Sequence, residues 1–309
     1  MIACLRRALV LTMAVGAALT SMPTPLASAA PRPPVINVTA GAHGFQVSGP
    51  ARRHAGRVTL HFTSTNPAND RGPGGSDVEM FKLGRGVTVA KVISTVRADG
   101  PSDGPPTRAH LARAAAATRF LNRNVRFFGG AAFEGRGAAD VTETLFSGTY
   151  YLMDINAVFA HQPVTVRSLR IFGTPPARDA AAPSTPAVLR TTSTDRFQTP
   201  TVLPAGRSYL IRNTADTIHF VLFSPVRRGT TDADISKALA AIAQGREPVD
   251  LADHSRLGVQ SGVLSPGNQV VFSSPLLTRG TYDLECFISD DRTGMPHFFM
   301  GMHKIVVVR

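Results

Sequence analysis

Gly280–Arg309 reads GTYDLECFISDDRTGMPHFFMGMHKIVVVR. Two β-branched and aromatic runs, TYDLECFI and KIVVV, flank a loop rich in His and Met, so the stretch reads as strand, loop, strand. Cys286 stands near the end of the first strand. Its opening has an echo earlier in the chain, where GTYYLMD at Gly148–Asp154 matches GTYDLEC at Gly280–Cys286. Upstream, DVEMFKLGRGVTVAKVIST can be laid against TIHFVLFSPVRRGTTDADISKAL. Each half then runs through strands, a strand of the HFVLF type, a helix, a Gly-Thr-Tyr strand, a loop and a final strand. Gly-Thr-Tyr turns recur in unrelated sandwiches, but the shared order points to a diverged tandem duplication. In this alignment Glu79 falls on His219 and Asp154 on Cys286, so only the second copy has soft side chains there.

Working outward, RVTLHFTST, TYYLMDI, VTVRSLRIF, SYLIRNT, IHFVLFS and QVVFSS are further short strand signals bounded by Gly, Pro, Asn and Asp. Two segments break the pattern. TRAHLARAAAATRFLNR and TTDADISKALAAIAQG carry helical spacing, and Thr231 with Asp234 resembles a capping box. TPPARDAAAPSTPAVLRTT, residues 174–192, has the Pro, Ala and small polar content of a linker. The expected class is all-β, with two Greek-key β-sandwich domains at 36–173 and 193–309, each carrying one short inserted helix.

The N-terminus predicts export. Arg6 and Arg7 precede an apolar run from Ala8 to Thr20, and Ala27-Ser28-Ala29 supplies a small-residue cleavage site, giving a signal peptide over 1–29. The run is too short to span a bilayer, and no transmembrane segment is expected. The paired arginines suit either Sec or twin-arginine export. Cys4 leaves with the leader, so Cys286 is the one remaining thiol and no intrachain disulfide is expected. Loss of Arg6 and Arg7 lowers the formal charge from +12 to +10. Arginine greatly outnumbers lysine and is scattered, without the basic clusters and interleaved aromatics of a nucleic-acid footprint, so no nucleic-acid partner is expected. The positive balance favours association with an anionic cell envelope.

Taken singly, the residues of the C-terminal stretch have plain readings. Cys286 suits a small buried position, His219 a core or surface position, and Met295, Met300 and Met302 suit gap-filling beneath the loop. Taken together, they resemble the cupredoxins, or blue copper proteins, and among them the secreted plastocyanin-like domains of bacteria. The resemblance covers residues 197–309 well and 40–172 weakly. It rests on IRNTADTIHFVLF, an Asn-bearing strand end followed by His219, and on the Gly-Thr-Tyr strand ending at Cys286. Ten residues then lead to His297, and four more to Met302 before the last strand. It implies a cupredoxin-like fold in both halves with the first degenerate, and one type 1 copper. His219, Cys286 and His297 would be equatorial ligands and Met302 axial, with Met300 the alternative.

The chemistry suits that set. A thiolate and two imidazoles form a trigonal plane acceptable to both copper oxidation states, and a weak thioether disfavours the tetragonal geometry of Cu(II) alone. The implied function is one-electron transfer outside the membrane, with a redox partner docking on an apolar patch at Phe298 and Phe299, through which the edge of His297 is exposed. A metal-free binding or structural module and a Cu(I)-handling protein are the alternatives. No enzyme is expected. HxH pairs, needed for a trinuclear copper centre, are absent, as are HExxH and G-x-S-x-G. In the first half, Glu79, Asp154 and His161 suit a hard-metal site or, more simply, solvated strand ends.

Overall fold

Along Gly56–Ser64 buried and half-buried residues alternate without a break, as they must in a strand with one face in a core. A computed structural model describes residues 32–50, 52–68, 75–100, 106–176, 180, 182–193 and 195–309. The expected leader at 1–29 lies outside the described residues. In the first half the strands are β1 (Val35–Gly41), β2 (Gly44–Ser48), β3 (Gly56–Ser64) and β4 (Ser76–Leu83). Helices α1 (Val89–Ala98) and α2 (Arg108–Asn124) follow. Then come β5 (Val125–Phe133), β6 (Gly137–Leu145), β7 (Gly148–Asp154), the short α3 (Ile155–Phe159) and β8 (Val166–Ile171).

The second half begins with β9 (Ala187–Thr192), β10 (Arg196–Gln198), β11 (Val202–Leu203), β12 (Tyr209–Asn213) and β13 (Leu222–Val226). Helix α4 (Asp232–Ala243) starts at the capping box of Thr231 and Asp234. The chain closes with β14 (Val259–Gln260), β15 (Gln269–Ser273), β16 (Gly280–Glu285) and β17 (His303–Val308).

Two sheets result. One has the order β10-β9-β12-β15-β6-β3-β1-β2, the other β11-β17-β16-β13-β14-β5-β4-β7-β8. Each reads outward from its centre in the same way. From the β15–β6 pair, β12 and β9 mirror β3 and β1, and both outer pairs are parallel. From the β14–β5 pair, β13, β16 and β17 mirror β4, β7 and β8. The chain crosses between sheets after β3, β5 and β6, and again after β12, β14 and β15, the crossovers of a Greek-key sandwich. Tyr150 and Tyr282 confirm the equivalence of the Gly-Thr-Tyr strands. Each donates its hydroxyl to the carbonyl four residues upstream, Phe146 at 3.0 Å and Thr278 at 2.9 Å.

The two halves therefore share both sheets, and Pro31–Arg309 forms one compact unit. Residues 187–192 of the stretch expected as linker are a paired strand, β9, so the connection is shorter than its composition suggests. The helix complement also differs from one per half. In the first half α1 occupies the place of α4, α2 is an addition, and α3 is a single turn after β7. Among the described residues no helix is long and apolar enough to cross a membrane.

Candidate metal centre

His219 reaches its place through an asparagine. Asn213 ends β12 fully buried, and its amide nitrogen donates to the Thr217 and Leu264 carbonyls at 2.8 and 2.7 Å. Its oxygen accepts from Thr191 Oγ1 at 2.8 Å and from the Ala215 amide at 2.9 Å. All side-chain hydrogen-bonding directions are thus used. The bulge from Thr214 to Ile218 is pinned, and His219 exchanges backbone hydrogen bonds with Leu264 at 3.1 and 2.7 Å.

Cys286 follows directly on β16. Its carbonyl accepts from the Phe298 amide at 2.8 Å, and the Ile288 carbonyl accepts from the His297 amide at 2.9 Å, so the ten-residue loop closes on its own base. A single 3₁₀ turn, His297–Met300, then reverses the chain at Gly301, whose φ of +92° suits glycine. The Met302 amide donates to the His297 carbonyl at 2.9 Å, placing Met302, wholly buried, at the start of β17.

Three donors meet. Cys286 Sγ lies 3.5 Å from His219 Nδ1 and 3.8 Å from His297 Nδ1, and the ring centroids are 4.6 Å apart. All three ligand atoms lie within 4.8 Å of one another. A first-row ion with metal–sulfur and metal–nitrogen bonds of about 2.3 and 2.0 Å needs sulfur–nitrogen separations of about 3.6–3.8 Å, so the donors stand at bonding spread around one point. Burial holds both imidazoles below their ordinary pKa, His219 strongly, so their ring nitrogens are free to bind metal. Burial also pushes the thiol up to about 12, against hydrogen bonds from the Phe220 and Ile288 amides, so metal must displace its proton. Phe220 serves the sulfur through its backbone amide.

The far edges of both rings carry a feature that spacing did not reveal. Among the described residues neither Nε2 has a hydrogen-bond partner, and Asp195 Oδ1 stands 3.6 Å from that of His219 and 3.7 Å from that of His297. Asp195 sits in the turn between β9 and β10 with φ +52°. Nothing in TTSTDRF ties that aspartate to histidines 24 and 102 positions further on; only the fold does. A carboxylate behind ligand imidazoles favours the tautomer with Nδ1 free for metal. Burial raises the Asp195 pKa and the neighbouring His297 lowers it.

The remaining expectations sort by burial. Met302 is fully buried, whereas Met300 is 37 % exposed and accepts a contact from Thr293 Oγ1 at 3.7 Å. His303 turns to α4, 3.3 Å from Ser236 Oγ. The exposed imidazole edge implied by the resemblance is not found, because His297 has no exposed surface. The aromatic patch beside it is wider than Phe298 and Phe299: Phe287 joins them, 4.8 Å from Phe298, with Phe287 and Phe299 41 % and 44 % exposed. Glu79 and Asp154 do not form a hard-metal site with His161. Glu79 accepts from the Val263 amide at 2.8 Å, Asp154 caps α3 through Ala157, and His161 is exposed. Among the described residues, the groups able to hold an ion are His219-Cys286-His297 and Asp195-Asp290-His297.

No protein-family model and no curated protein matches the chain. Among solved structures it is similar to reduced auracyanin from Roseiflexus castenholzii, at 17 % identity over 40 % of this chain and 94 % of that one, TM-score 0.23. It is also similar to auracyanin A, a "blue" copper protein from Chloroflexus aurantiacus, at 18 % identity over 40 % and 96 %, TM-score 0.23. A copper-containing nitrite reductase from Thermus scotoductus aligns over 90 % of this chain and 68 % of its own, at 11 % identity and TM-score 0.22. The sheet order and the Greek-key crossovers describe a cupredoxin-like β-sandwich, and it holds a buried His-Cys-His cluster able to bind a metal ion.

Proposed function

We propose that this protein is an exported one-electron carrier, with His219, Cys286 and His297 as equatorial copper ligands and Met302 as the axial one. The observation that carries the reading is the convergence of one thiol and two Nδ1 atoms in a pocket closed to solvent. When bound, copper supplies the reversible one-electron change. The chain supplies the rest: backbone bonds fix the loop around both states, burial excludes water, and Asp195 orients the two rings. A closed site leaves no position for a substrate, unlike a catalytic metal site with an open coordination place, which favours a carrier over an oxidase.

With His297 covered, the way out for the electron is the aromatic patch. Phe287 is bonded to Cys286, Phe298 to His297, and Phe299 packs on both at 6.4 and 5.6 Å. A redox partner would dock on that surface. The test is voltammetry on the copper-loaded mature chain. A reversible one-electron couple is expected, with a rate of exchange to a protein partner that falls at least tenfold in Phe287→Ser/Phe299→Ser while the potential is kept. Tight Cu(I) binding with no reversible couple would instead make the protein a copper-handling one.

A further inference from the structure

We infer that the first half of the chain sets the geometry of the metal site, with Asn122 as a positioning residue supported by Asp99 and Arg119. The inference deepens the copper reading above and depends on it for its metal readout. Asn122 lies in the last turn of α2. Its Oδ1 accepts from the Ile218 amide at 3.0 Å, and its Nδ2 donates to Thr217 Oγ1 at 2.7 Å. Those two residues lead directly into His219. Asn213 fixes the same segment from the second half, so the approach to the ligand is gripped from both sides.

The same helices hold the loop between the other two equatorial ligands. Arg119 donates to the Asp291 carbonyl, and Asn122 Nδ2 lies 3.5 Å from Asp291 Oδ2. Asp99, at the end of α1, accepts from Ser289 Oγ at 2.6 Å. Gly294 has φ +75° and packs so closely under the Leu111 carbonyl of α2 that a Cβ would collide with it. Two segments far apart in sequence, 217–219 and 286–297, are thereby referred to one rigid body. That body is built around α2, the helix without a counterpart in the second half. A ligand set must be held to within about 0.5 Å to function, and polar groups behind metal ligands contribute about 10–100-fold to affinity. A copy that has lost its own ligands therefore has a use: it braces the ligands of its neighbour.

Ordinary interface packing is the competing account, and a hydrogen bond between the halves remote from the site separates the two. Ser274 Oγ donates to the Ala138 carbonyl at 2.6 Å, beside the β15–β6 pair. The experiment compares Asn122→Ala, Asp99→Ala and Ser274→Ala in the full mature chain. Without metal, amide exchange at Ile218 is expected to quicken at least tenfold in Asn122→Ala, and exchange across 286–297 in Asp99→Ala. Ser274→Ala should alter neither. With copper, the first two should lose roughly 10–100-fold in affinity and shift the thiolate charge-transfer band, with Ser274→Ala unchanged. Unaltered local exchange in Asn122→Ala, or wild-type copper affinity with an unshifted band, overturns the inference. A wild-type chain that takes up no copper sinks the copper reading instead, and the exchange measurement still decides whether α2 braces the loop.

Discussion

Asn213→Ala lowers folding stability by on the order of 4 kcal/mol and removes tight metal binding. The side chain makes four hydrogen bonds in a buried site, and alanine would strand the Thr217 carbonyl, the Ala215 amide and the Thr191 hydroxyl and leave the Leu264 carbonyl with the His219 amide alone. Each stranded buried group costs about 1–3 kcal/mol, and partial relaxation of the bulge keeps the total below their sum. Binding suffers separately, because the chain from Thr214 to Ile218 is shaped by that amide before it delivers His219. Urea denaturation of the metal-free variant and copper titration read the two effects independently. A loss below about 1 kcal/mol with unchanged affinity would show that the bulge holds its shape without Asn213.

Glu79→Gln gains about 2–3 kcal/mol relative to the wild type as the pH rises from 5 to 8. Burial raises the Glu79 pKa to about 7, although the Val263 amide, Asp77 and Gln260 all favour its ionised form. Asp77, pressed by burial and by Glu79, has its pKa pushed well above the ordinary carboxylate value. A carboxyl whose folded pKa is raised contributes stability that is complete below its unfolded value, near 4.5, and is lost as pH climbs through about 7. The wild type alone hides this. His219 and His297, kept neutral by burial, have the opposite sign and cost stability as pH falls through about 6.5. The difference between wild type and Glu79→Gln isolates the Glu79–Asp77 pair from the histidines, since glutamine can still accept from Val263. Parallel stability curves from pH 5 to 8 would contradict the assignment.

These two residues mark what sequence reading reaches. Asn213 and His219 lie six residues apart in an ordered motif, and the loop from Cys286 to Met302 is local, so the resemblance that names the cluster rests on local order. The Gly-Thr-Tyr repeat is likewise visible because a tyrosine at a sandwich corner bonds only four residues back. Glu79 and Asp195 are different. Their partners, Val263 and the two histidines, are set by pairing of the halves and by a turn between short strands, neither of which leaves a local pattern. Strand β5 leaves little signal in the sequence for a related reason. VRFFGGAAF carries two glycines that read as a break, yet Gly130 is needed because a Cβ there would collide with the Val78 carbonyl. That strand joins the two halves through β14.

Addition of Cu(II) to the purified, reduced mature protein puts the central claim to its plainest trial. One ion per chain should give an intense blue thiolate-to-copper absorption that disappears in Cys286→Ser and in His219→Ala. A colourless protein with an intact thiol would mean that the buried cluster at Cys286 is not a type 1 copper site.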